Sequence, residues 1–236
     1  MTPGRFRLVS FDLDGTLVDT AAEIAEAVNR TLADFGLARR SGDAVRRRIG
    51  AGTRELLLAV LRDIDAEGAA TDRVDRDDAL RRFDGHYAAT AGTVCRLYPH
   101  AADALARLRR GGVPLACVTN KEMRFTAPVL GACGLDRAFD LVVAGDSLPA
   151  KKPDASVLRH VMRLLGADPQ GTAHVGDSRV DVDAARNAGA AAWWVPYGYH
   201  GGQSVEAMAP DRVFAHLGQV ADTVLGDAEK RSARPA

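Results

Sequence analysis

Residues 9–20 read VSFDLDGTLVDT, and the fold and the chemistry of the chain are organised around them. The apolar run at 6–11 predicts a short buried strand that ends at Asp12. A second carboxylate, Asp14, follows after one residue, and Gly15 then allows a sharp turn. Because residues spaced i, i+2 along a strand start on the same side of the backbone, we expect both carboxylates to face one point beyond the strand end.

Two carboxylates at one strand end raise an electrostatic problem. At a separation of about 4 Å and an effective dielectric near 20, they repel by about 4 kcal/mol, so they need a cation or a shared proton. A divalent metal is the simpler solution, and oxygen ligands favour a hard ion, above all Mg²⁺. The alternative is a plain strand-end turn capped by an aspartate, which is the commoner explanation for an isolated pair of this kind.

The residues around this pair carry a family resemblance. DLDGT after an apolar strand resembles the first motif of the haloacid dehalogenase superfamily of phosphotransferases. The resemblance implies that Asp12 is the nucleophile that takes the phosphoryl group and that Asp14 is the general acid and base. The spacing suits this chemistry, because one carboxylate can attack phosphorus in line while its neighbour protonates the departing alkoxide. Related dehalogenases lack the second carboxylate, so Asp14 argues for phosphorus rather than carbon chemistry.

Length and composition fit an intracellular α/β enzyme. A chain of 236 residues suits one α/β domain with an inserted subdomain. The 31 basic and 31 acidic residues balance, so no global field draws the protein to nucleic acid or to a membrane surface. Three cysteines without CxxC or zinc-like spacing favour reduced thiols in the cytoplasm. We expect a small-molecule partner, and the assembly is left open between a monomer and a homodimer.

The chain after the first strand predicts a helical insertion. The segment Thr20-Ala21-Ala22-Glu23 has the form of a capping box at a helix start. Apolar residues then recur at helical spacing as far as about residue 91, without a strand pattern. A crossover between two strands seldom needs about 70 residues, so a separate lid is the economical explanation. We therefore predict an all-helical cap over residues 19–91.

From Pro99 onward the pattern alternates between helix and strand. Helices are predicted at 101–110, 124–133, 155–165 and 180–188, and strands at 113–118, 139–144, 173–176 and 190–195. Such alternation predicts an α/β fold with a parallel, doubly wound, Rossmann-like sheet, which binds ligands at the carboxyl ends of its strands. Residues 1–18 and 92–227 are assigned to a catalytic core, and 228–236 to a flexible tail.

Two later loops beyond predicted strands carry groups suited to phosphate. Thr119 and Asn120 follow the second core strand, where a hydroxyl and backbone amides can cradle an anion or can simply cap the next helix. Lys152 precedes Pro153, and a lysine there can neutralise charge as a compact point charge. The two segments resemble the second and third motifs of the superfamily. The resemblance implies that Thr119 and Asn120 hold the phosphoryl oxygens and that Lys152 neutralises the nucleophile and the substrate.

A further strand end carries Gly176-Asp177-Ser178, with Asp181 three residues on. Ser178 and Asp181 form a capping box, which explains Asp181 but leaves Asp177 without a local role. The segment resembles the fourth motif of the superfamily. The implied Mg²⁺ ligands are the Asp12 carboxylate, the Asp14 backbone carbonyl, the Asp177 carboxylate and water. Asp181 is left open between a direct ligand and a residue just outside the ligand shell.

The substrate depends on the predicted cap. Gly50 and Gly52 pinch a turn that suits close approach of a small anion, and Arg54 could hold a carboxylate in bidentate fashion, although a plain interhelical turn with a solvated arginine is the commoner case. Residues 118–121, 145–146, 151–153 and 176–179, with Tyr197-Gly198-Tyr199, resemble the bacterial phosphoglycolate phosphatases within the superfamily. That resemblance implies hydrolysis of 2-phosphoglycolate.

Two alternatives remain open at this stage. A related phosphatase or phosphomutase would act on another small phosphoester, such as a sugar phosphate, with the same core residues. A phospho-accepting signalling receiver also pairs a strand-end aspartate with Thr, Lys and Mg²⁺ on a doubly wound sheet. A receiver needs neither a neighbouring acid nor a lid of about 70 residues, so Asp14 and the insertion count against it.

Overall fold

The computed structural model describes residues 6–68, 71 and 73–232. The strands in chain order are β1 (Leu8–Phe11), β2 (Val18–Asp19), β3 (Arg96–Leu97), β4 (Leu115–Val118), β5 (Leu141–Val143), β6 (Thr172–Gly176), β7 (Ala191–Trp194) and β8 (Arg212–Val213). The helices are α1 (Ala21–Asp34), α2 (Gly42–Arg46), α3 (Thr53–Ala66), α4 (Arg76–Thr90), α5 (Ala101–Arg110), α6 (Met123–Ala132), α7 (Ala155–Leu164), α8 (Arg179–Ala188), α9 (Val205–Met208) and α10 (Leu217–Ser232).

The centre of the molecule is a parallel sheet. Over the described ranges it has six strands in the order β5-β4-β1-β6-β7-β8, and every neighbouring pair is parallel. The chain moves outward from β1 to β5 on one side and then returns to build β6 to β8 on the other. This order places a topological switch point beside β1, where open α/β sheets bind ligands. The predicted Rossmann-like α/β fold is confirmed.

Both faces of the sheet are covered by apolar layers. Val9 and Phe11 of β1 join the layer that includes α5 and α10, whereas Leu8 joins the layer that includes α7 and α8. Because successive side chains of a strand point to opposite faces, a strand covered on both sides is apolar at most positions, and a polar residue there needs a buried partner, as Ser10 of β1 has in His174. This explains why the core strands appear in the sequence as short, nearly continuous apolar runs.

Helices α1 to α4 form a helical insert between β2 and β3. These two short strands pair antiparallel, with Val18 opposite Leu97. The two connections between the insert and the core therefore lie side by side. Within the insert, α1 packs along α4, and the apolar stripe of α3 is buried. The insert and the sheet share one continuous apolar cluster. The boundaries predicted for a separate cap, 19–91, stay a prediction.

The capping box predicted at the start of α1 is wrong. The Thr20 hydroxyl donates to Asp14 Oδ1 at 2.7 Å, and the Glu23 carboxylate accepts from the Gly92 N–H at 3.0 Å. The N–H groups of Thr20 and Ala21 donate instead to the Tyr199 hydroxyl, at 2.8 and 3.0 Å. A tyrosine distant in sequence thus accepts the hydrogen bonds of the N–H groups at the helix start. The Thr20 hydroxyl is then free to donate to Asp14.

The C-terminal region completes the sheet edge and one face. β8 pairs with β7, and α10 packs against α5. Helix α10 continues to Ser232, so the backbone at 228–232, predicted as the start of a flexible tail, is helical, while 233–236 lie outside the described residues. Among the helices described, none has both the length and the apolar character needed to cross a membrane.

Candidate active site

Three strand ends meet at one edge of the sheet. β1 is paired with β4 on one side and with β6 on the other. Asp12, Thr119 and Asp177 directly follow these three strands, so they emerge side by side, and all three are buried. The residues that the sequence placed at separate strand ends are thus neighbours in the structure.

The carboxylates form an acidic cluster. One oxygen from each of Asp12, Asp177 and Asp181 lies within 4.8 Å of the other two. The Asp177 carboxylate is fixed from two sides, because its Oδ1 accepts from the Thr16 hydroxyl at 2.9 Å and its Oδ2 accepts from the Tyr199 N–H. These bonds hold the Asp177 carboxylate against the turn that follows β1.

Gly15 makes this close approach feasible. Its φ of 88° lies in the left-handed region that favours glycine. A Cβ at this position would overlap the Asp177 carboxylate and the Tyr199 ring. The glycine of the DxDG sequence is therefore needed both for its backbone conformation and for the room that it leaves to the acidic cluster.

Lys152 neutralises the cluster from the other side. Its Nζ lies 2.9 Å from Asp12 Oδ1, and it donates to Asp181 Oδ1 and to the Val118 carbonyl, both at 2.7 Å. A lysine ammonium has three N–H donors, and these contacts use all of them. Lys152 therefore holds Asp12 in a fixed orientation, and with no N–H left to donate it can act on a ligand only through its charge.

Three carboxylates, Asp12, Asp177 and Asp181, meet a single ammonium, Lys152, so their negative charge is only partly compensated. Burial raises the pKa of Asp12 to about 7 despite Lys152, and burial together with Asp181 and Asp12 raises the pKa of Asp177 well above its usual range. At Asp181 the effect of burial is outweighed by Lys152, so the pKa of this carboxyl is lowered. At Lys152 the effect of burial is outweighed by Asp12 and Asp181, so its pKa is raised. Lys152 forms a charged pair with Asp181, Asp12 shares this one ammonium with Asp181, and Asp177 has no ion-pair partner among the described residues.

Asp12 and Asp177 therefore fit a hard divalent cation. They supply the oxygen donors that Mg²⁺ prefers, and a cation between them would remove the electrostatic penalty that raises their pKa values. Asp181 is already engaged at both oxygens, because its Oδ2 accepts from the Ser178 N–H at 3.1 Å and its Oδ1 accepts from Lys152. This arrangement favours a positioning role for Asp181 next to Lys152.

Asp14 has a partner that the sequence reasoning did not assign. Lys121 Nζ lies 2.6 Å from Asp14 Oδ1, and the same oxygen accepts from the Thr20 hydroxyl. Lys121 itself is buried, at 3% exposure. One signal was available, because lysine occurs only four times in the sequence and Lys121 directly follows the Thr119-Asn120 segment.

Asn120 joins the core to the helical insert. Its Nδ2 donates to the Gly50 carbonyl at 3.1 Å and to the Lys152 carbonyl at 3.0 Å, while its Oδ1 accepts from the Lys152 N–H at 2.9 Å. The Thr119 hydroxyl accepts from the Lys121 N–H at 3.2 Å. The Asn120 side chain thus fixes the lysine loop and the glycine turn relative to each other.

A narrow cavity lies between the core and the helical insert. The core side contributes polar groups, including Asp12, Asp14, Thr119, Asn120 and Lys121, and the insert contributes Ile24, Ile49, Leu56 and Tyr87. The cavity encloses about 380 Å³, including the part open to solvent. Gly50 and Gly52 line it as well, whereas Arg54 is exposed and outside the lining. The site residues are therefore brought together, except Arg54, whose predicted role stays a prediction.

Comparison with known proteins points to one family. A model of the haloacid dehalogenase-like hydrolases matches residues 6–189. The sequence is 43% identical over 209 residues to the plasmid phosphoglycolate phosphatase of Cupriavidus necator, over 89% of each chain. It is 40% identical over 220 residues to a phosphoglycolate phosphatase of Nitrosospira multiformis, over 91% of this chain and 94% of the relative.

A solved structure agrees in fold along nearly the whole chain. The crystal structure described as that of a predicted phosphoglycolate phosphatase from Haemophilus somnus superposes with a TM-score of 0.85 at 31% sequence identity. The match covers 93% of this chain and 98% of that one. The similarity therefore includes the helical insert as well as the sheet.

Proposed function

Because this chain belongs to the haloacid dehalogenase-like hydrolases and is a phosphatase, we propose that it hydrolyses 2-phosphoglycolate to glycolate and phosphate with Asp12 as the nucleophile. The observation that carries the proposal is the placement of Asp12. Its carboxylate lies at the end of β1, is held by Lys152 at 2.9 Å and lines the cavity together with Asp14. The choice of 2-phosphoglycolate as the substrate follows from the named relatives, which are phosphoglycolate phosphatases.

The reaction proceeds in two steps at phosphorus. Asp12 attacks in line, a bond forms between its carboxylate oxygen and phosphorus, and the bond from phosphorus to the substrate oxygen breaks. Asp14 donates a proton to the departing alkoxide. It then takes a proton from the water that attacks the phosphorus of the phosphorylated Asp12. The bond between phosphorus and the Asp12 oxygen breaks, which releases phosphate and restores the carboxylate.

The other core residues hold the reacting groups. Lys152 keeps the Asp12 carboxylate oriented and offsets part of the charge of the incoming phosphate. Thr119 and Asn120 line the cavity beside Asp12, and this supports a role for the Thr119 hydroxyl and the Asn120 backbone in holding phosphoryl oxygens. Asp12, Asp177 and the Asp14 carbonyl would hold Mg²⁺, which when bound supplies positive charge to the phosphoryl group and fixes its orientation.

The cavity supports a small substrate. The insert presents apolar side chains and the glycine turn to the space above Asp12, and the cavity, about 380 Å³ with its solvent-open part, has to hold both the phosphoryl group and the leaving group. The short glycolate moiety suits such a site, whereas a sugar phosphate requires the insert to retreat further. Size is therefore the property that separates the proposed substrate from the sugar phosphates.

A panel of phosphomonoesters tests this assignment. The recombinant protein is assayed for phosphate release in the presence of Mg²⁺ with 2-phosphoglycolate, several sugar phosphates and glycerol phosphate. We expect the highest kcat/KM for 2-phosphoglycolate. A higher kcat/KM for any sugar phosphate would reject the substrate and favour a sugar-phosphate phosphatase or phosphomutase.

A further inference from the structure

Lys121 occupies an unusual position for a basic residue. Among the described residues that line the cavity, it is the one basic side chain, and it is 3% exposed. Burying a lysine ammonium is costly unless partners or ligands compensate it. The core chemistry already has its own lysine in Lys152. A second buried lysine, which unlike Lys152 lines the cavity itself, therefore calls for a separate function.

The Lys121 ammonium uses only part of its hydrogen-bonding capacity within the described structure. It donates to Asp14 Oδ1, 2.6 Å away, and it lies 5.1 Å from the centre of the Tyr87 ring. Three N–H donors are available on an ammonium, so hydrogen-bonding capacity remains for a ligand. The Tyr87 hydroxyl is also buried and has no hydrogen-bond partner among the described residues. Both groups belong to residues that line the cavity.

The other cations near the cavity are engaged with protein groups or lie outside the lining, as Lys151 does, with its Nζ 3.7 Å from Glu122 Oε1. Lys152 uses all its donors on Asp12, Asp181 and the Val118 carbonyl. Arg46 donates to the Tyr197 carbonyl at 3.2 Å and lies over the Tyr199 ring. Arg54 is exposed and outside the lining. An anionic group on a ligand, other than the phosphate that reaches Asp12, therefore meets an available ammonium at Lys121.

The position of Lys121 also fits the connectivity of the substrate. In 2-phosphoglycolate the carboxylate carbon is separated from the ester oxygen by a single methylene group. The residue that protonates the ester oxygen must therefore lie close to the residue that binds the carboxylate. Lys121 and Asp14 satisfy this condition, because their charged groups are 2.6 Å apart.

We propose that Lys121 is a specificity-determining residue, whose ammonium binds the carboxylate of the substrate while it remains in contact with Asp14. The site then selects small phosphomonoesters that carry a second anionic group next to the ester carbon. This inference rests on the proposed function, and it adds the residue that distinguishes 2-phosphoglycolate from phosphomonoesters of the same size that lack a second anionic group.

The test compares two substrates on the same variants. One is 2-phosphoglycolate, and the other is 2-hydroxyethyl phosphate, in which a hydroxymethyl group replaces the carboxylate. Lys121→Met removes the charge and keeps the length, and Lys121→Gln removes the charge but keeps a donor for Asp14. The matched control is Lys151→Met, because Lys151 is a more exposed lysine that the structure places outside the cavity lining.

We expect the wild type to prefer 2-phosphoglycolate. Either substitution of Lys121 should lower the ratio of the two kcat/KM values by about 10- to 100-fold, mainly through KM for 2-phosphoglycolate, since a charge-assisted hydrogen bond is lost. Lys151→Met should leave the ratio unchanged. Lys121→Arg, which keeps the charge, should retain part of the preference.

The outcomes separate the two proposals. If the wild type does not prefer 2-phosphoglycolate, the carboxylate is not recognised, and both the substrate and the role of Lys121 are wrong. If the wild type prefers it and the folded Lys121 variants keep the same ratio, the substrate stands and the role of Lys121 is overturned. An equal loss with both substrates also overturns this role, because it indicates a contribution through Asp14 alone. Should Lys121→Met fail to fold, Lys121→Gln decides.

Discussion

Asp12 has to satisfy two opposing requirements. A nucleophilic carboxylate must be ionised, yet burial raises its pKa to about 7. Lys152 opposes this shift but shares its charge with Asp181, which it contacts at 2.7 Å. One ammonium between two carboxylates cannot fully compensate either of them. This shortage of positive charge around Asp12 is consistent with a site that could bind a cation in addition to its lysine.

The substitution Asp12→Asn isolates the nucleophilic role. The amide has nearly the same shape and can still accept a hydrogen bond from Lys152, so we expect the fold to persist. We expect phosphate release to fall by at least about 10⁴-fold, since a neutral amide does not attack phosphorus. Phosphate release and the far-ultraviolet circular dichroism spectrum are the two measurements. Turnover close to that of the wild type would exclude Asp12 as the nucleophile.

The raised pKa values of Asp12 and Asp177 predict how pH and Mg²⁺ act together on stability. Between the ordinary value of 3.8 and about 7 for Asp12, the metal-free folded protein holds a proton that the unfolded chain has released. The free energy of unfolding should therefore decrease as the pH rises through this window. Mg²⁺ binds the ionised carboxylates, so its stabilising effect should grow over the same range.

Thermal unfolding with and without excess MgCl₂ checks this expectation. We expect a larger rise in Tm at about pH 8 than at about pH 5, because Asp12 is ionised at the higher pH. NaCl at matched ionic strength is the control and should not reproduce the difference. The same rise in Tm at both values would mean that Mg²⁺ does not bind at these carboxylates.

At the scale of elements, the sequence predicted the core well because local patterns determine it. Helix α5 matches its predicted range. Strands β1, β4, β5 and β7 lie within the predicted apolar runs, and β6 begins one residue before its predicted range, since burial on both faces favours an apolar strand. Helix α1 does begin after Thr20, as the sequence predicts, but the group that accepts its first hydrogen bonds was not predictable in this way. Tyr199, which accepts its first N–H groups, lies 179 residues from Thr20, and no local pattern encodes this pairing.

The same reasoning separates the predictable part of the site from the rest. Asp12, Thr119 and Asp177 follow strands, so the parallel sheet alone brings them together. The contact between Lys121 and Asp14 depends on side-chain directions across two loops, and the exposed position of Arg54 depends on how α3 packs. β8 has only two exposed residues, too few for a periodic signal.

The start of α1 gives a prediction at this scale. Tyr199→Phe removes the acceptor for the buried Thr20 N–H and one of the two acceptors for the Ala21 N–H, which also donates to Asp19 Oδ1 at 3.2 Å. It also removes the donor to Asp19 Oδ1, which lies 2.6 Å from the tyrosine hydroxyl. We expect the free energy of unfolding to fall by about 2–3 kcal/mol, because a buried N–H group loses its partner. Urea-induced unfolding measures the change.

An ordinary helix cap provides the comparison for Tyr199→Phe. Asp154 caps α7 by accepting from the Ser156 N–H at 2.8 Å, and it is exposed. We expect Asp154→Ala to cost about 1 kcal/mol and to leave KM unchanged. A cost for Tyr199→Phe no greater than that of Asp154→Ala would mean that water readily replaces the tyrosine hydroxyl at the start of α1.

For the molecule as a whole, the helical insert is bound directly over the cavity. Tyr87 of α4 stacks on Phe125 of α6 with ring centres 4.5 Å apart, and Arg124 forms an ion pair with Asp84 at 2.8 Å. The antiparallel pair of β2 and β3 brings both crossings between insert and core together, and such an arrangement can act as a hinge. We therefore interpret this arrangement as a closed state that must open for substrate to enter.

A single hydrogen bond at the mouth of the cavity allows this interpretation to be tested. The Thr53 hydroxyl of the insert donates to Glu122 Oε2 of the core at 2.6 Å. We expect Thr53→Val and Glu122→Ala each to raise KM about three- to tenfold, because a hydrogen bond to a charged group contributes about 1.5–3 kcal/mol at most and part of it is replaced by water. Steady-state kinetics with 2-phosphoglycolate provide the measurement.

The double variant then distinguishes closure from direct contact with the substrate. If the two residues act through their mutual hydrogen bond, Thr53→Val with Glu122→Ala should raise KM no more than either substitution alone. The matched control is Thr172→Val, since the buried Thr172 hydroxyl donates to the Asp168 carbonyl at 2.7 Å within the core. This control should lower stability and leave KM unchanged. Additive effects of the two cavity substitutions on KM would show that they act separately, and the bond would then have no part in closing the insert over Asp12.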